Sequence, residues 1–207
     1  VRRRLGPDSP LSQAIGQFAD AVVLNLLFVL CALPGLTAGA SWTALEAVML
    51  ENARGDQPRV GRRFFHHFAA RWRGATLLWL AWLAAVGLLA WEYGILAQFP
   101  QEPGVIVAQA LVVTGWLCVA LWAVWAFPLI ADGHPPLRAT RLAARLAIGH
   151  LPRSATVLAV AAVAPGLVWL VDDGWQFVVP LMAVVGCALI ALVNAMVVCR
   201  ALPAATA

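Results

Sequence analysis

Between Glu102 and Asp132 the chain carries no charged side chain, and residues 105–130 are almost wholly apolar. A helix rises about 1.5 Å per residue, so such a run can cross a hydrocarbon core of about 30 Å. Three further runs of this kind occupy residues 76–96, 155–171 and 177–198. A water-soluble domain has about a quarter of its residues charged. Here 12% are charged and 62% are hydrophobic. One globule could not hide that surplus. The sequence therefore predicts an all-α polytopic transmembrane bundle, a single membrane domain over residues 1–207 with the lipid bilayer as its first partner.

The cations set its orientation. All fourteen are Arg, and the net charge is +4. They gather at Arg2, Arg3 and Arg4, in the segment 54–73, in the segment 131–153, and at Arg200. The connections "QFPQEPG" and "DDGW" hold acids and no Arg. Basic loops stay in the cytoplasm. Every Arg then lies inside, as do both termini, with Glu102, Asp172 and Asp173 outside. This placement accounts for the positive charge as membrane orientation and leaves no nucleic-acid partner to invoke. The basic N-terminus is parted from its apolar run by Pro7, Asp8, Pro10 and Asp20, with no clean cleavage site after it, so the first span is expected to stay as an anchor.

The same solution makes a demand on "CALPGLTAGASWTALEA", residues 31–47. The N-terminus and the segment 54–73 must lie on one side, so residues 12–53 must cross twice or enter and return. Pro34 ends a helix by removing a hydrogen bond. Gly35 and Gly39 permit a tight reversal. Thr37 or Ser41 can cap a new start, and Gly55 can end it. A broken hairpin follows, one helix over about 12–33 and another over about 38–53. The second is about 24 Å long at 1.5 Å per residue, short for a full crossing. Small residues, Gly35, Gly39, Ala40 and Ala44, allow close helix packing. With the four long spans this makes about six membrane segments.

Two Arg-bearing stretches read as amphipathic interfacial helices, 59–72 and 136–150. The first puts Phe64, Phe65, Phe68 and Trp72 on one face, with Arg63, His67 and Arg71 opposite and Arg62 beside them. The second puts Arg138, Arg141 and Arg145 on one face, with Leu142, Leu146 and Ile148 around the other. Such helices lie in the interface with Arg toward anionic headgroups.

"NLLFVLCALPGLTAGASWTAL", then "RRFFHHF", then "PPLRATRLAARLAIGHLPRS" resemble, in that order, the YesL family of bacterial membrane proteins. Asn25, Pro34, Thr37, Gly39 and Ala44 stand at the positions of the first motif. The family has no established activity, and its genes often accompany carbohydrate ABC importers. The resemblance implies a polytopic inner-membrane protein, an accessory to sugar uptake that contacts ABC importer subunits. It supplies no catalytic residues.

The polar residues inside apolar helices are the candidate sites. Asn25 and Asn194 either line a polar path or make an interhelical hydrogen bond, which in membranes averages only about 0.6 kcal/mol. Glu46 either marks a functional cavity or pairs with a cytoplasmic Arg such as Arg54. Cys31, Cys118, Cys187 and Cys199 form no CxxC pair and read as small hydrophobes. His66 and His67 are adjacent, so their rings diverge on a helix, unlike a zinc pair at i and i+4. No cofactor, metal or catalytic constellation is expected. The leading expectation is a non-enzymatic membrane accessory protein. Its rivals are a small transporter with a path near the broken hairpin and a lipid- or glycan-processing enzyme.

Overall fold

The computed structural model describes residues 10–55, 59–100 and 102–201. Arg2, Arg3, Arg4 and Gln101 lie outside them. The described chain is helical throughout: α1 (Pro10–Ala32), α2 (Ala38–Ala53), α3 (Val60–Leu96), α4 (Pro103–Ala131), α5 (Pro136–Gly149), α6 (Leu151–Leu170), α7 (Trp175–Leu181), a π-helical turn (Met182–Gly186) and α8 (Cys187–Ala201). Five helical stretches among the described residues are long and apolar enough to cross a membrane. They are α1, α3, α4, α6 and the continuous rod from α7 to α8.

The break after α1 forms as its residues dictate. Gly35 takes a φ of +73°, a left-handed conformation that a Cβ would oppose. Thr37 occupies the N-cap position of α2 without capping it. Its hydroxyl donates back to the Cys31 carbonyl instead, closing the end of α1, while Ser41 donates to the Thr37 carbonyl at 3.0 Å. The expected capping role of Thr37 and Ser41 is therefore corrected: both hydroxyls donate to carbonyls and neither accepts from an orphan amide. At the far end of α2, Gly55 has a φ of +94° and stops the helix.

α2 is the hub of the bundle. It packs against α1, α3, α4 and α8, and Gly39 through Leu50 are buried except Trp42. At 16 residues it is shorter than α1, α3, α4 and the continuous rod from α7 to α8. α3 runs antiparallel beside it, with His67 against Glu51 at one end and the Trp79 indole donating to the Gly35 carbonyl at 3.0 Å at the other. From Trp79, α3 continues to Leu96, about 25 Å further at about 1.5 Å per residue. The turn between α1 and α2 therefore stops well short of the far end of the bundle.

Two expectations about the amphipathic stretches are revised. Residues 59–72 and the span 76–96 are one helix of 37 residues. Only Gly74 separates them, and one glycine costs a helix about 1 kcal/mol, far less than packing along α2 returns. Phe64 is wholly buried and Phe68 half-buried, whereas Arg62, Arg63, Phe65 and Trp72 are exposed. Phe64, Phe65 and Phe68 therefore do not act together as a lipid-facing surface. α5 lies across the end of α4 on a stripe of buried Ala139, Ala143 and Ala147, and the Trp122 indole donates to the Thr140 carbonyl at 3.1 Å. Arg138, Arg141 and Arg145 form its exposed opposite face. Leu142 and Leu146 are half-buried, but Ile148 projects outward.

The start of α1, the end of α2 and the end of α8 share one cavity of about 480 Å³, touched by Gln17, Asn52 and Met196. These ends, with the connections that carry Arg54 and Asp132, lie at one end of the bundle.

Candidate functional site

α2 carries Glu46 into the interior, where the residue has no exposed surface. The expected pairing with Arg54 does not form. Arg54 instead pairs with Asp132 at 2.6 Å. Glu46 Oε1 accepts from Asn194 Nδ2 at 2.9 Å, and the same amide nitrogen donates to the Val124 carbonyl at 3.1 Å. The structure thus brings together two polar residues that the sequence could name only separately. Glu46 Oε2 and Asn194 Oδ1 are buried and have no hydrogen-bond partner among the described residues.

Asn194 also faces a cavity of about 310 Å³ walled by α2, α3, α4, α6 and α8. The hairpin stops at the level of Trp79, and the cavity lies beside the first turns of α2. Trp42, Trp79 and Trp82 line it together with Phe127. The Trp79 and Trp82 rings stack with centroids 5.1 Å apart. Trp79 donates its N–H to the Gly35 carbonyl, whereas the buried Trp82 Nε1 has no partner among the described residues. These tryptophans were legible in the sequence only as interfacial anchors. Their spacing on α3, three residues apart, was the signal that they share a face.

Asn25 stands elsewhere. Its Nδ2 donates to the carbonyls of Met182 and Ala183 at 2.8 and 2.7 Å, and its Oδ1 accepts from the Ala188 N–H at 2.8 Å. The side chain is spliced into the π-helical turn, whose extra residue disturbs the normal backbone ladder. Asn25 therefore clamps α1 to the rod of α7 and α8. It does not touch Glu46 or Asn194. Pro34 and Gly35 form the hairpin turn, and Gly39 lies directly under α3. A Cβ at Gly39 would meet the Trp79 Cβ and come within 2.8 Å of the Ala75 carbonyl oxygen.

A second polar group sits at the Arg-rich end. His67 Nε2 lies 2.9 Å from Glu51 Oε1, and Arg71 Nη1 lies 2.8 Å from His67 Nδ1. Arginine only donates, so Nδ1 accepts and Nε2 carries the proton toward Glu51. Arg63 Nε approaches the other Glu51 oxygen at 3.5 Å. Among the described residues no group of three or more His, Cys, Asp or Glu could hold a metal ion.

Residues 21–93, from the middle of α1 through nearly all of α3, match the model of a family described as a protein of unknown function, DUF624. The match spans the break, the hub helix and Glu46. No curated protein and no solved structure matches the chain.

Proposed function

We propose that this chain is a non-enzymatic inner-membrane protein, with its Arg-rich end and both termini in the cytoplasm, that acts as an accessory to carbohydrate ABC import. The YesL resemblance supports the context. The observation that carries the accessory role is an apolar groove of about 600 Å³ between α4 and α6. Leu117 and Leu121 line it from α4, and Leu151, Leu158 and the exposed Ala155, Ala159 and Ala162 from α6. Small residues let a neighbouring backbone approach closely, which is how helices associate in lipid. A transmembrane helix of an importer subunit fits that chemistry.

The test is mild-detergent purification from the native host. The parent should bring down a sugar permease, and Ala159→Trp, which fills the groove without touching the interior, should not. Equal recovery with both proteins would remove the groove from the interaction. A second reading, a small transporter, is favoured by the Glu46–Asn194 pair beside the cavity. A purified parent that moves a solute into liposomes without a partner would support it over the first.

A further inference from the structure

We propose that the cavity beneath Trp42, Trp79 and Trp82 is a binding site for a small organic cation with an apolar body, such as an alkylammonium. Four observations on separate helices converge on it.

The first is charge. A buried carboxyl group stays neutral unless a cation joins it; Glu46 has no exposed surface and forms no ion pair among the described residues, so a bound cation is what would ionise it. Its one polar partner is an uncharged amide. A cation at the cavity wall would stand one residue away from it, in surroundings of low dielectric where such attraction is strong.

The second is orientation. Asn194 Nδ2 is committed to Glu46 and Val124, which fixes the amide so that Oδ1 is the free end. Asn194 lines the cavity and is 3% exposed, and Oδ1 has no partner among the described residues. A free carbonyl oxygen in front of a carboxylate favours a donor or a cation and repels an anion.

The third is the wall. The faces of tryptophan attract ammonium groups more strongly than any other side chain ring. Three indoles from two helices line this space.

The fourth is what the wall lacks. Beyond Asn194 and the indoles of Trp42, Trp79 and Trp82, the lining is Val, Ala, Leu, Ile and Phe. A free monosaccharide would leave most of its hydroxyls unpaired there, at a cost of about 1–3 kcal/mol for each buried group. A cation with an apolar body has one polar demand, and the site meets it. The volume, about 310 Å³, falls at the lower end of small-molecule sites, which run from about 300 to 1,000 Å³.

This site shares Leu158 with the α4–α6 groove, but its occupancy does not depend on a partner protein. The experiment uses the full chain in detergent and titrates benzyltrimethylammonium while following tryptophan fluorescence. Saturable quenching is expected. Glu46→Gln keeps the acceptor for Asn194 but removes the charge, and should weaken binding at least tenfold with an unchanged melting temperature. Glu92→Gln, on the exposed far part of α3, should bind as the parent does. Ala161→Phe places a ring in the cavity and should abolish binding, so it decides the matter if Glu46→Gln fails to fold. Neopentylbenzene, the uncharged isostere, should bind far more weakly. Non-saturable quenching of the parent, equal binding by Glu46→Gln or Ala161→Phe, or equal affinity for the uncharged isostere would each overturn the proposal.

Discussion

Gly39 and Gly35 lie four residues apart and do different work. Gly35 needs its backbone freedom, with φ at +73° and open space where a Cβ would stand. Gly39 needs its missing side chain, because the Ala75 carbonyl and the Trp79 Cβ occupy that space. Both obstacles are rooted in the α3 backbone, so α2 and α3 must move apart to admit even a methyl group. Overpacking of this kind costs about 1–3 kcal/mol. Gly39→Ala should therefore lower the detergent melting temperature clearly, and Gly39→Leu should lower it further. Pro34→Ala should be mild, since Gly35 still forms the turn. A Gly39→Leu protein as stable as the parent would refute the close contact. The sequence marked both glycines as special, and it marked Asn25, Glu46 and Asn194 as polar residues in apolar surroundings. It could not pair them. Glu46 and Asn194 lie 148 positions apart, and Asn25 reaches a π-helical turn 157 positions away. Only Pro180 and Gly186 hinted that the last span departs from a regular helix.

At the scale of elements, α1 and α2 were legible to within a few residues because proline and glycine act locally. The continuity of α3 was not. Its composition changes near Gly74 from Arg-rich to apolar, and that change looks like a boundary. A helix is propagated by its backbone ladder and by what it packs on, and α2 supports it across the change. The Arg-rich part of α3, ahead of the apolar span, also carries a pH-sensitive contact. Burial first, then Arg71 and His66, hold the His67 pKa below the ordinary value, while Glu51 works against them. Protonation would turn Nδ1 into a donor facing the Arg71 guanidinium. The unfolded chain, with a histidine pKa of about 6.5, takes up the proton more readily than the folded one. Stability is thus fully present above that value and declines as pH falls below it toward the lowered folded pKa. Melting temperatures measured from pH 7.5 down to 5.5 should fall for the parent. His67→Gln should flatten that slope, since its amide can still donate to Glu51 without titrating. An identical slope in both would place the sensitivity elsewhere.

For the whole molecule, the decisive feature is that one of its helices is too short. α3 and α4 run far past the hairpin, and α2 does not. The interior beside the Arg-rich end is filled by α2, and the cavity opens beside its first turns. A second full-length helix in that place would leave no room for a ligand among the three tryptophans. Depth is therefore what separates a hairpin that returns from one that crosses, and it can be measured. In a protein freed of Cys31, Cys118, Cys187 and Cys199, single cysteines report which aqueous phase reaches them. Asp172→Cys, in the exposed turn before α7, should react in whole cells with a membrane-impermeant maleimide. Arg138→Cys, on the exposed face of α5, should react only after the cells are opened. Leu36→Cys is the discriminating position. Its side chain is 61% exposed on the protein, so the protein itself does not shield it. If the hairpin turns within the bilayer, lipid covers Leu36, and the maleimide should fail to reach it from either side. If α2 crosses fully, the turn meets the outer water and Leu36→Cys should label in whole cells as readily as Asp172→Cys. That second outcome would move the hairpin tip to the outer surface and open the tryptophan-lined cavity to the periplasmic side.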